Sequence, residues 1–265
     1  MRNPNMKVIN DSLEFASRWG FLTKGLFFEF FCPMSQAQQY RYWARLTEDG
    51  YFISSKHQEH TLILSHKSRR LLGDQVRPSR SHFYIEHDSI VARFYLSLAL
   101  KGLLENSWLE DELMRNPIEA YTVLGCQQLQ RVPDLIFDLK RPNATAVRCS
   151  LEIERVTKSR SRYSKMALAY LDMSKVGVSL FGCASESTEK AIRFAYSSNE
   201  FVERNRIPGT FLYETYDPFE FSSQLRFAST EMKFESFLEV ISGEPKRERN
   251  EKSFSEYEAS KAEAA

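Results

Sequence analysis

The chain has no Cys-x-x-Cys pair, no glycine-rich phosphate loop, no long apolar run and no excess of one charge sign. Each absence removes a class of protein. The four cysteines, Cys32, Cys126, Cys149 and Cys183, are far apart. They read as reduced core residues of a cytoplasmic protein, not as zinc ligands or a disulfide frame. Without Gly-x-Gly-x-x-Gly or a Walker-type loop, nucleotide hydrolysis is unsupported. No apolar segment approaches the roughly 20 residues of a membrane helix. The N-terminus lacks the apolar segment of a signal peptide, so the expectation is a soluble, cytoplasmic chain with no membrane span. Lys and Arg number 36 against 35 Asp and Glu, for a net charge of +1. A uniformly basic nucleic-acid coat is therefore excluded.

What is present suffices for a large core, since 42% of the 265 residues are hydrophobic. Three segments suggest themselves, over 1–85, 86–225 and 226–265. The first carries 12 Lys and Arg against 7 Asp and Glu, which favours an anionic partner. In it, Asp11 to Arg18 reads as a helix, Thr23 caps a second, and Ser35 caps a third running from Gln36 to Glu48. Short strands 51–55 and 61–65 then flank a polar loop at Lys56-His57-Gln58-Glu59-His60. Three helices and a hairpin are the order of a winged helix-turn-helix. Leu46-Thr-Glu-Asp-Gly-Tyr-Phe52 resembles the entry into its wing. Gln36, Gln39, Arg41 and Arg45 would face outward from the third helix to read base edges, with Lys56 on the wing reaching phosphate. His57 and His60 are placed on the wing loop as solvent or DNA contacts, not metal ligands.

After a break at 77–81 come a long helix over 88–106, a short segment near Trp108, two strands, a helix over about 159–174, a buried strand 176–183, a helix after Ser187-Thr-Glu189 and a strand from Thr210. The expectation is an α/β layer (α+β overall) in the order helix, three strands, helix, strand. Residues 226–242 would add a helix. The charged tail from Pro245 reads as disordered.

Three carboxylates stand out. Pro133-Asp134 opens an apolar run, Leu135 to Leu139. Residues 147–154 then alternate as Val-Arg-Cys-Ser-Leu-Glu-Ile-Glu. A turn centred near Asn143 pairs residues whose numbers sum to about 286, setting Asp134 opposite Glu152. Glu154 shares the face of Glu152. Acids so gathered repel unless a cation joins them, and an oxygen-only set suits Mg²⁺ or Mn²⁺. Glu105 or Glu110 would be a further ligand. Arg155, Lys158, Arg160, Arg162 and Lys165 follow at the start of the next helix, where basic residues oppose the helix dipole and an anion relieves the cost. Tyr163 and Tyr170 share a face of that helix. Packing or DNA contact fits them better than a nucleophile's role.

This pattern resembles the PD-(D/E)xK nuclease superfamily, with Pro133-Asp134 and Glu152-Ile-Glu154 as its motif. Glu154 stands where that superfamily usually has lysine, and Lys158 offers a displaced one. A winged helix followed by such a core, with Leu151-Glu-Ile-Glu-Arg-Val-Thr-Lys-Ser-Arg-Ser-Arg-Tyr163, is similar to the MOBC-type conjugative relaxases and to the replication-relaxation proteins. The resemblance implies a site- and strand-specific DNA endonuclease that nicks a plasmid's transfer origin for mobilisation. It implies Asp134, Glu152 and Glu154 as metal ligands and Lys158 as a catalytic or phosphate-binding lysine. Arg160, Arg162 and Lys165 would contact DNA. Double-stranded plasmid DNA would be the partner, with a coupling protein or accessory mobilisation proteins beside it. Better-known relaxases use a His-hydrophobe-His site with a tyrosine nucleophile, and none of the five histidines forms that pair. The alternative is a catalytically inactive DNA-binding replication or transcription regulator with a nuclease-like fold.

Overall fold

The computed structural model describes residues 4–56, 58–73, 76–78, 82–141, 144–197, 208–217, 219–221, 223–227 and 230–242. The turn centre at Asn143, His57 and the tail from Pro245 lie outside these.

Helix α1, Pro4–Trp19, starts seven residues before the expected Asp11. Val8, Ile9, Ser12, Phe15, Ala16 and Trp19 recur every three or four residues and bury one face. Gly20, at φ 81°, ends it. Strand β1, Leu22–Thr23, leads to the Thr23-capped turn α2, Lys24–Leu26, which widens into a π-turn over Phe27–Phe31. Helix α3 spans Gln36–Glu48, the expected bounds, with Ser35 and Gln38 bonded across its N-terminus. Strands β2, Phe52–Ser54, and β3, Thr61–Leu64, form an antiparallel sheet with β1 in the order β1-β3-β2. Helix α4, His66–Leu72, closes this part.

The rest is built on a seven-stranded mixed sheet. Helix α5 spans His82–Leu100, not 88–106. Gly102, at φ 68°, turns the chain, and the residues expected in the last helical turn instead enter strand β4, Leu104–Leu109. Helices α6, Glu110–Arg115, and α7, Pro117–Leu124, separate β4 from β5, Leu135–Leu139. Strand β6, Val147–Glu154, helix α8, Arg160–Leu171, strand β7, Val178–Cys183, helix α9, Glu186–Ala195, and strand β8, Gly209–Leu212, follow. The expected helix over 226–242 is half right. Gln224–Arg226 (β9) and Glu231–Lys233 (β10) pair as a hairpin, and only Phe234–Ser242 (α10) is helical.

Strands β4, β5 and β6 run antiparallel, while β7 is parallel to β6, as the crossover through α8 requires. The full order is β10-β9-β8-β7-β6-β5-β4. Two apolar clusters cover the two faces. Leu135, Phe137, Leu151 and Ile153 pack with α5 and with α1 in one continuous cluster. Ile136 and Phe181 pack with α7, α8 and α9 in the other. The N-terminal helices thus share a core with the sheet. The Trp19 ring meets that of Tyr95 at a tilt, with centroids 5.7 Å apart, and Arg18 reaches Glu112 at 2.8 Å. No helix among the described residues is long and apolar enough to cross a membrane.

Candidate functional site

The β5–β6 ladder pairs Leu135 with Leu151 and Leu139 with Val147, so the register has the expected sum of 286. Asp134 sits one residue before β5. Its carbonyl accepts from the Glu110 N–H at 3.3 Å. Its Oδ2 accepts from the Ile153 N–H at 2.8 Å and from His87 Nε2 at 3.1 Å. The Asp134 side chain therefore clips the strand entry to β6 on one side and to α5 on the other. His87 Nδ1 bonds Asp88 Oδ1 at 3.0 Å. Burial alone would lower the His87 pKa. The bonds to Asp134 and Asp88, and their negative charges, override it and lift the ring to about 10. An imidazolium donates from both nitrogens, which matches two carboxylate partners.

Glu152 and Glu154 share the sheet face beneath α8, and both are 1% exposed. Arg131 clasps Glu152 in a fork, Nε to Oε1 and Nη2 to Oε2, each at 2.7 Å. The Tyr170 hydroxyl donates to Oε1 at 2.6 Å. Burial, then the charge of Asp134, push the Glu152 carboxyl up to about 7 against the pull of Arg131. Asp134 and Glu152 thus feel one another. Glu154 is drawn aside, since Lys158 Nζ lies 2.5 Å from its Oε1. Among the described residues no three His, Cys, Asp or Glu side chains are gathered so as to hold a metal ion.

Asp134 and Glu152 are both already met by donors. Asp134 spends Oδ2 on two donors and carries no such bond on Oδ1. Glu152 Oε1 accepts two bonds and is full, whereas Oε2 accepts one and keeps a lone pair. One or two carboxylates, with water and substrate phosphate completing the shell, is the usual Mg²⁺ arrangement. The expected three-acid cluster is not assembled as one open site, since Glu154 is paired with Lys158 and both oxygens of Glu152 accept from Arg131. Glu105 is exposed at the far end of β4 and takes no part.

Arg155, Arg160, Arg162 and Lys165 are exposed around the start of α8. Arg155 pairs with Glu86, and the Arg160 guanidinium lies 3.8 Å over the Phe194 ring. Tyr163 and Tyr170 are buried, which removes both as nucleophiles. On α3, Gln36 and Arg41 are exposed, as is Lys56 on the loop beyond β2. Gln39 departs from its expected role: its amide donates inward to the Phe28 and Cys32 carbonyls at 3.2 and 3.0 Å, bracing the π-turn. Arg45 is tied to Asp49 at 3.1 Å.

Sequence reasoning missed His87 and Arg131, and named Tyr170 without its partner Glu152. Glu86-His87-Asp88 was the available signal, a histidine set between two acids on a helix. Arg131 and Tyr170 carried none, because their partner lies 21 and 18 residues away.

No protein-family model matches the chain, and no curated protein or solved structure matches it. The resemblance therefore rests on the residues quoted for it.

Proposed function

We propose that the chain is a divalent-metal-dependent DNA endonuclease that nicks one strand at a specific site, the step that frees a plasmid for mobilisation from its transfer origin. The observation that carries this reading is the register of 286 between β5 and β6, which brings Asp134 and Glu152 to the same end of the ladder, with the Asp134 side chain bonded to the Ile153 N–H next to Glu152. The element order supports it in part: α5, β4, β5, β6, α8 and β7 follow the helix, three strands, helix, strand of the PD-(D/E)xK resemblance, with helices α6 and α7 inserted between β4 and β5. So does the N-terminal order of helix, strand, two helices and hairpin, with β1 beside β3, which suits a winged helix.

Bound at Asp134 and Glu152, Mg²⁺ or Mn²⁺ supplies charge neutralisation at a phosphate and lowers the pKa of a water. The other residues bind and orient. Arg131 and Tyr170 fix the Glu152 carboxylate. Arg160, Arg162 and Lys165 hold the DNA backbone near the N-terminus of α8. Gln36, Arg41 and Lys56 form the reading face.

A second reading, a DNA-binding regulator with an inactive nuclease-like core, is favoured by one observation: Arg131 and Lys158 already neutralise both glutamates. Supercoiled plasmid carrying the cognate origin, incubated with Mn²⁺, separates the two. The nuclease reading expects open circles from the wild type and none from Asp134→Asn, with DNA binding retained. Tight, specific binding without any nicking by the wild type would favour the regulator.

A further inference from the structure

We propose that the outer face of α8 and α9 is a platform for single-stranded nucleic acid, with Arg160 and Phe194 as its stacking pair and Arg162 and Lys165 as its phosphate contacts. It rests on the reading of α8 as a nucleic-acid contact and needs neither a metal ion nor cleavage. From Arg155 to Leu171 the chain has five Lys and Arg and no Asp or Glu. Arg155 and Lys158 are spent on Glu86 and Glu154. Arg160, Arg162 and Lys165 are exposed and form no ion pair among the described residues. Three such cations close together repel one another, and an anionic chain laid across them relieves the repulsion.

Charge alone would suit any polyanion, but the ring beside it selects among them. Phe194, near the end of α9, is 51% exposed, and the Arg160 guanidinium carbon lies 3.8 Å from its ring centre. Arginine stacks on aromatic faces in this way and keeps its outer plane open. A duplex shows a protein its phosphates and the edges of its bases, and turns the base faces inward. An exposed ring capped by a guanidinium has nothing to stack on there. An unpaired strand offers base faces, which stack on aromatic rings and on arginine planes while the cations track the backbone. Val156 and Leu168, both exposed, add apolar surface on either side of the cations.

The surface is held before a strand arrives. Thr157 bonds Thr188 at 2.7 Å, tying the approach to α8 to the first turn of α9. The Lys158 N–H donates to the Tyr163 hydroxyl at 3.2 Å, and Tyr163 is buried in the cluster that packs both helices on the sheet. Arg160 and Phe194 thus stand on two helices of fixed spacing, which lowers the ordering cost of binding.

The test is fluorescence anisotropy of labelled oligothymidine, oligouridine and a dA·dT duplex of equal length, titrated with the full chain over a salt series. The wild type should bind a single strand, and the stronger of the two says whether that strand is DNA or RNA. Phe194→Ala should weaken this binding about 5- to 100-fold and leave duplex affinity unchanged, since only base stacking is removed. Phe194→Trp, which keeps a ring, should retain it. Phe194→Leu, which keeps only bulk, should not. Replacing Arg160, Arg162 and Lys165 together by alanine should lower the salt slope on the single strand by about 2, at roughly 0.7 per phosphate contact. Circular dichroism reports whether each variant folds. The wild type gives an independent reading: a strand carrying iodouracil, crosslinked by light, should attach to α8 or at Phe194, and attachment confined to other parts of the chain overturns the platform even if no variant folds. A wild type that binds neither strand overturns it. So does a folded Phe194→Ala that binds the single strand as the wild type does, or that loses duplex affinity equally. Nicking of origin DNA is read separately, so the nuclease reading can fail while the platform holds, and the reverse.

Discussion

Glu152 and Glu154, two residues apart on one strand, are met by different cations, Arg131 from the approach to β5 and Lys158 from the approach to α8. Removing one partner of a buried pair leaves an uncompensated charge, at a cost of about 3–5 kcal/mol. Lys158→Met should therefore destabilise the fold by about that much in urea unfolding, and adding Glu154→Gln should recover most of it. His87 gives a second expectation. Its folded pKa is raised from 6.5 to about 10, so between those values the folded chain holds a proton that the unfolded chain has lost. Its contribution to stability is complete below about pH 6.5 and drains as pH climbs towards 10. Melting temperatures of His87→Gln should lose that slope across the same window. At this scale the acids were legible, because Pro-Asp and Glu-x-Glu are local patterns. Lys158, four residues past Glu154, was legible too, but His87 and Arg131 were not: they lie 47 and 21 residues from Asp134 and Glu152, and such pairings exist only in the folded chain.

Elements were legible where their signals are local. Ser35 and Asp49-Gly50 bound α3, and the β5–β6 register follows from strand alternation and turn length. Helices α6 and α7 were missed although α7 carries local signals, the Asn116 cap, Pro117 in its first turn and Gly125 at its end, because both are short. Glu112 takes the Leu109 N–H at 2.7 Å while Arg18 of α1 grips its other side. The hairpin β9–β10 was read as helix because its place depends on pairing at the edge of β8. Gly125 shows how one residue ends an element. It stands at φ +67° after α7, and a Cβ there would lie 2.6 Å from Ser174 Oγ and 3.0 Å from the Lys175 nitrogen. Gly125→Ala should cost about 1–3 kcal/mol, read as a shift of the denaturant midpoint at constant slope.

For the whole molecule, the order of elements could be read from the chain, but the joining of its halves could not. Trp19 against Tyr95 and Arg18 against Glu112 and Ser107 are contacts between distant segments, the Arg18 pair with Glu112 spanning 94 residues, with no periodicity to announce them. Charge is balanced overall, so the proposed DNA affinity has to come from where the cations sit. On the proposed reading face, Lys56→Ala should weaken binding to all sequences alike and lower the salt slope by about one unit. Gln39→Ala, which removes the brace of the π-turn, should instead lower stability and leave the salt slope unchanged.

The claim on which the account turns is that Asp134 and Glu152 hold one divalent ion between β5 and β6. Crystals soaked in Mn²⁺ and measured for anomalous scattering test it directly. The account predicts a single strong peak bonded to Asp134 Oδ1 and Glu152 Oε2, absent from Asp134→Asn crystals. Soaked wild-type crystals with no anomalous density at these two oxygens, and with Arg131 still clasping Glu152, would contradict it.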